Sequence, residues 1–438
     1  MKTNNSYNLN NGYFQYPLIK GSILYFISEE NLWQYDFNVK KTIKLTSTNG
    51  EIKYPIISSK GDKIVFNGIE EGDEDLFIID LVNGKTERLT YLGSSVIPIM
   101  FYDNDNKIIF SSNHNNPFDE IFFIYSLDLK NGCIESLNIG NAKFISFKNN
   151  KFDLNNFVLQ PYSEDMTRWK RYKGGNIGKL WLKCEKFNSK DSKLSNDDYR
   201  LIEFERGNIS NPIFYEDSII FISDYEGVGN LYKSDFNFKN VEKLTFHEDF
   251  YVRNPYLSYE DKIIVYQSGG NIYKYDIKNK TSSQININYF SSKPQKRGKY
   301  INIHDYIQGY SISFDGKKIA LNIRGKIAGM YNWYGPVEIV TLKNNVRDSL
   351  PIFLFDNSSI CFITDELNEI RIAKAIILSE DYLEVKRKVY KDWDFGNIIE
   401  MISSPSKNHI CLSNHRNEIF FVDLENENYY LIDNLIMV

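Results

Sequence analysis

Histidine and cysteine are both scarce: of 438 residues, 5 are His and 4 are Cys. Cys133, Cys184, Cys361 and Cys411 lie far apart with no Cys-x-x-Cys spacing, which excludes a disulfide framework and reads as reduced thiols. His114, His247, His304, His409 and His415 show no ligand spacing; His409 with Cys411 comes closest to a metal pair, and no zinc site is assigned to it. No stretch approaches the roughly 20 apolar residues that span a bilayer. The first residues, Met1-Lys2-Thr3-Asn4-Asn5, lead into no apolar signal region. Neither membrane insertion nor secretion is expected, and the reading is cytoplasmic. With 52 Lys+Arg against 57 Asp+Glu, net charge −5, there is no basic field for nucleic acid. Gly-x-Ser-x-Gly, His-Glu-x-x-His and Gly-rich phosphate loops are all absent. No catalytic, cofactor-binding or metal residue is therefore assigned, and no cofactor is expected.

What the chain does have is aromatic residues, 31 Tyr and 30 Phe, which pack well on a pleated, half-buried surface and favour an all-β fold. It also repeats. A unit opens on a short Pro-containing strand, continues through an alternating strand and a strand ending in Asp, and closes on Leu-Thr. The first copy runs Tyr16-Pro17, Ile23–Ser28, Asn31–Asp36, Leu45-Thr46; the second runs Tyr54-Pro55, Lys63–Phe66, Asp75–Asp80, Leu89-Thr90. Pro17 and Pro55 are 38 residues apart, Leu45 and Leu89 44. A unit of about four strands in about 40–45 residues is one propeller blade. Asn83-Gly84, Asn131-Gly132 and Gly269-Gly270 supply the positive backbone angles of tight turns.

A third unit starts near Pro98, and a fourth is degraded, with an insertion placed at about 155–180; the fifth and sixth cover 207–245 and 251–285. The polar stretch Ser292–Lys299 reads as a connector. Further units open at Ser313-Phe314-Asp315-Gly316, Leu350-Pro351 and Met401–Pro405. The expected architecture is a six-bladed β-propeller over 1–292, a connector at 293–300, and about three blades of an incomplete second β-propeller over 301–438.

Four stretches carry a more specific likeness: Arg168-Trp169-Lys170-Arg171-Tyr172-Lys173-Gly174-Gly175, Ser223-Asp224-Tyr225-Glu226-Gly227-Val228-Gly229-Asn230-Leu231-Tyr232, His247-Glu248-Asp249-Phe250-Tyr251-Val252-Arg253-Asn254-Pro255 and Ser268-Gly269-Gly270-Asn271-Ile272-Tyr273. In order and spacing they resemble the first propeller of tricorn proteases, and Phe314-Asp315-Gly316-Lys317-Lys318 resembles the opening blade of the second. The resemblance implies a cytoplasmic serine-peptidase system in which a six-bladed and a seven-bladed propeller precede a catalytic region with a PDZ domain. It further implies a hexameric assembly and propellers that filter and conduct peptides.

That catalytic region has no counterpart in this sequence, so the resemblance transfers no catalytic residue. Family members also anchor a peptide carboxylate with paired arginines in a loop after the second blade. Here that loop, Tyr91-Leu92-Gly93-Ser94-Ser95-Val96, holds no guanidinium for a bidentate contact. A propeller ring left open exposes apolar sheet faces, which favours association. The expected role is thus binding or channelling peptides, with a separately encoded catalytic chain or a homo-oligomer as partner. The alternative is a free-standing TolB-like scaffold for protein–protein interaction. Three local features are read as structural. Arg168–Lys173 is a blade-connecting loop, Glu70–Asp75 a solvated turn lacking calcium-ligand spacing, and His247-Glu248-Asp249 a loop that fixes strand geometry.

Overall fold

The computed structural model describes residues 12–434, apart from 71, 163–165, 167, 169–171, 173, 185–198, 203–206, 297, 299, 301, 342 and 379–384. Each repeat folds as an antiparallel sheet of four strands bonded in chain order, and the described residues form nine such sheets. The first consists of Gln15–Lys20, Ile23–Ser28, Asn31–Asp36 and Lys41–Lys44. The repeated residues build these sheets by identifiable contacts. The Asp ending the third strand closes the hairpin: Asp80 Oδ1 accepts the N–H of Val82 at 2.8 Å and of Asn83 at 3.1 Å, and Asp276 does the same for Lys278 and Asn279. Gly84, at φ 73°, completes the turn where a Cβ would strain. The Thr of each Leu-Thr reaches back to a buried backbone donor. Thr46, Thr90 and Thr245 Oγ1 accept from the N–H of Leu32, Leu76 and Leu231, each at 2.9 Å.

The chain divides into two compact units, Met1–Arg297 and Gly298–Val438. In the first unit six sheets form a closed ring. Their inner strands, Gln15–Lys20, Ile52–Ile57, Val96–Tyr102, Phe144–Phe147, Ile209–Tyr215 and Arg253–Ser258, touch in succession, and the last touches the first. Closure uses no exchanged strand, because every sheet takes its four strands from one continuous stretch. It rests on a core shared by the first and sixth sheets, where Phe14, Phe26 and Trp33 pack with Val265, Ile272 and Tyr289. Thr42 Oγ1 adds a hydrogen bond to Asn288 O at 2.8 Å.

In the second unit three sheets stack in a row: Ile307–Ile312 contacts Asp348–Phe353, which contacts Ile398–Ser403. The middle sheet is covered on both sides, by a core around Phe353, Phe362 and Ile327 and by another around Cys361, Tyr390 and Phe395. A buried ion pair, Arg387 Nη1 to Asp348 Oδ2 at 2.6 Å, ties its outer strand to its inner one.

Two sequence readings change. The strand Asn156–Gln160 falls inside the span read as an insertion, so the intervening segment of that sheet begins after Gln160. Ser313–Gly316 does not open a sheet: it is the hairpin after the first strand, Ile307–Ile312, whose Gly309 and Gln308 hid it among loop-like residues.

Candidate functional site

The ring of the first unit encloses an axial tunnel. A cavity of about 190 Å³ is lined by a short run from each of the six inner strands, from Tyr16-Pro17-Leu18 round to Asn254-Pro255-Tyr256. Its wall is apolar and rich in proline: Pro17, Pro55, Pro98, Pro212 and Pro255. The prolines bring no N–H into the tunnel. A second cavity of about 310 Å³ adjoins it and is polar, with Gln15, Ser210, Gln267, Lys143 and Arg253 among its lining residues. The two share Tyr16, Tyr54, Phe144, Asn211 and Asn254, which form the boundary between them.

The backbone sets that boundary. The inner strands slip register just before their prolines, between Gln15 and Leu18, Lys53 and Ile56, Ser210 and Ile213, and Arg253 and Tyr256. At each bulge the residue preceding proline is left-handed: Tyr16 at φ 49°, Tyr54 at 49°, Asn211 at 51° and Asn254 at 48°. Glutamines secure the displaced groups. Gln267 Oε1 accepts from Tyr16 N at 2.9 Å and from Asn254 Nδ2 at 3.0 Å, while Gln160 Oε1 accepts from Asn211 N at 3.1 Å. The Tyr16 and Tyr54 rings meet edge to face at 5.0 Å. Burial pushes both phenols above the usual tyrosine range, so they stay neutral.

Another cavity, about 660 Å³, opens where the sequence lacks the paired arginines. Gly93, Ser94 and Ser95 form one side; Asp73, Glu74, Asp119 and Glu120 supply carboxylates, and Lys143 borders both this space and the polar chamber. Arg88, three residues before Tyr91, is bound to buried Asp75 at 2.5 Å. The acidic run thus divides between a structural residue, Asp75, and cavity-facing ones, while Glu71 lies outside the described residues. His247 has the structural surroundings expected of it: its N–H bonds Asn230 Oδ1 at 2.9 Å, its Nε2 sits 3.1 Å from Tyr266 Oη, and burial lowers its pKa. Of the Arg168–Lys173 cluster, Trp169, Lys170, Arg171 and Lys173 lie outside the described residues. Cys184 and Cys361 are buried, and burial pushes the Cys361 thiol up to about 12. His409 stands 3.5 Å from Asp423 and edge-on to Phe421, and no metal-binding group occurs among the described residues. No helix among them is long and apolar enough to cross a membrane.

The tunnel boundary is the element that sequence reading missed. The Tyr16-Pro17 and Tyr54-Pro55 pairs read as strand openings, but a left-handed residue before proline is not what local preference favours.

The end sheets of the second unit each show an apolar face. On the first, Tyr310, Ile312 and Ile339 are 67%, 51% and 49% exposed. On the last, Ile402, Cys411, Phe421 and Tyr430 occupy one row across all four strands, and Ile402 and Tyr430 are 66% and 58% exposed.

The family model described as the tricorn protease N-terminal beta propeller domain matches residues 11–281. The tricorn protease homologue of Saccharolobus solfataricus is 30% identical over 425 residues, covering 96% of this chain and 37% of that protein. Two proteins of Sulfurisphaera tokodaii, named as the N-terminal and C-terminal subunits of a tricorn-like protease, are 28% and 30% identical over 182 and 227 residues; the matches cover 41% and 52% of this chain, and 90% and 25% of those subunits. A crystal structure of the tricorn protease superposes with a TM-score of 0.70 at 23% identity, covering 97% of this chain and 39% of that one, which supports the fold. The chain therefore spans well under half the length of full tricorn-type relatives. It belongs to the tricorn protease family, as a propeller portion of that type.

Proposed function

We propose that this chain binds or channels peptides for proteolysis and works with a catalytic chain encoded separately. One observation carries the peptide reading: the N-terminal propeller encloses an axial tunnel whose neutral boundary is edged by carboxamides and aromatic rings. Amides serve a peptide main chain and rings its side chains, without reading one charge. The test is fluorescence polarisation of dye-labelled peptides of about 6–12 residues, about 20–40 Å when extended. Saturable binding, competed by unlabelled peptide, is expected; no saturable binding at any of these lengths overturns the reading.

The partner reading rests on the apolar end faces of the second unit and on the Sulfurisphaera tokodaii pair, in which the tricorn-like system carries separately named subunits. Those faces are where such a chain would dock, supplying sheets that cover them. A cytoplasmic setting belongs to the same proposal and suits the unpaired thiols. Native mass spectrometry of the untagged chain from its own cells tests it. A stoichiometric companion carrying a serine-peptidase region is expected; the chain found alone or only with itself contradicts it.

A further inference from the structure

We propose that Tyr16, Tyr54, Phe144, Asn211 and Asn254 form the gripping constriction of the tunnel, holding an extended peptide by its main chain. The inference rests on the peptide-binding reading and assigns residues to it.

Backbone strain is the first argument. Four of the five residues are non-glycine residues in the left-handed region, two of them bulky tyrosines, and each precedes a proline. Such a conformation persists only where the surrounding structure holds it in place. Within the ring it recurs at equivalent positions in the first, second, fifth and sixth sheets, where all four side chains border both cavities; Leu350, left-handed before Pro351 in the second unit, shows that the bulge itself belongs to the repeat and that the ring is what turns it toward a cavity.

Unused hydrogen-bonding capacity is the second. Among the described residues the Asn211 carboxamide makes no hydrogen bond, and that of Asn254 makes one, to Gln267. Both belong to adjacent sheets of the ring, so their amide groups form one polar arc, while Tyr16 and Tyr54, also on adjacent sheets, form an aromatic one. A primary carboxamide offers a donor pair and an acceptor, the complement of a peptide unit.

The third argument is the contrast along the axis. Above the boundary lie Gln15, Ser210 and Gln267 together with Lys143 and Arg253; below it five prolines and aliphatic side chains present little that can bond a main chain. A peptide is therefore held at the boundary and slides through the proline-lined chamber. The five boundary side chains are themselves uncharged, so the grip acts on the peptide's backbone, while Lys143 and Arg253 of the adjoining chamber add positive charge on one side of it.

The test uses the full chain with Cys133→Ser and Cys411→Ser removing the two thiols that are not buried. Phe144→Cys places a reporter on the boundary, Ile99→Cys a second one in the lower chamber, and Val82→Cys a reference on an exposed turn. Reaction with a methanethiosulfonate reagent is timed with and without an acetylated, amidated octapeptide of alanine and leucine. Peptide is expected to slow labelling at position 144 about tenfold, to slow it at 99, and to leave 82 unchanged. An octapeptide with N-methylated amides is expected to bind about tenfold more weakly, as is the parent peptide to Asn254→Ala. If polarisation shows binding while positions 144 and 99 label at an unchanged rate, or if N-methylation has no effect, this assignment fails and the peptide-binding reading survives. If nothing binds, the peptide-binding reading itself fails. Should Phe144→Cys not fold, position 99 decides alone.

Discussion

The two units of this chain are built from the same four-stranded sheet, yet one closes and the other does not, and their second strands record the difference. In the first unit these strands are buried almost end to end: Ile23–Ser28, Lys63–Gly68, Lys107–Ser112 and Ile263–Ser268 each have five consecutive buried residues, because both faces meet a neighbouring sheet. The middle sheet of the second unit behaves alike, with Ser359–Thr364 buried throughout. In the end sheets, Lys318–Ile323 and His409–Asn414 alternate, Ala320, Asn322, Ile410 and Leu412 being buried while the residues between them are not. Continuous burial thus reports two neighbours and alternation reports one. The uncovered positions remain apolar on the first end, Ile319, Leu321 and Ile323, and are mixed on the last, His409, Cys411 and Ser413.

The comparison breaks most sharply at the seams. Phe26→Ala, in the core closing the first sheet on the sixth, is expected to cost the first unit about 3–5 kcal/mol in urea unfolding. Leu321→Ala, on an uncovered face, is expected to stay within about 1 kcal/mol for the isolated chain. Equal losses would show that the face is covered after all. Next in size is Asp348→Ala: it removes a fully buried carboxylate that accepts from Arg387 and from Thr341 Oγ1, leaves Arg387 with Glu366 as its remaining carboxylate, and should cost the second unit about 2 kcal/mol, with the first unaffected. Thr90→Val tests the closing motif; stranding the buried Leu76 N–H should cost about 1–2 kcal/mol, and a neutral result would remove its structural role.

The smallest expected effect concerns pH. Burial holds His247 and His114 below the ordinary histidine value of 6.5. The unfolded chain therefore binds more protons than the folded one as pH falls below about 7, and stability should decline across that window. His247→Gln should flatten part of the slope; an unchanged slope would place the pH dependence elsewhere.

Much of the fold was legible because its signals are local. The Asp that accepts two turn N–H groups, the Gly at positive φ and the Thr that returns to its own third strand all lie within a few residues or at one fixed offset. Ile307–Ile312 was harder to read, since Gln308 and Gly309 interrupt its apolar pattern and its outer face has no neighbour to demand one. The candidate site was hardest. Tyr16, Tyr54, Asn211 and Asn254 are far apart in sequence and become neighbours only when the ring closes, while their left-handed backbone arises from bulges that propensity does not encode.

The most direct test of the account is hydrogen exchange on the full chain with and without saturating peptide. Protection is predicted at the inner strands bordering the tunnel, residues 15–20, 52–57, 209–215 and 253–258, with 398–434 unchanged. No change at those strands, or protection confined to the second unit, would contradict it.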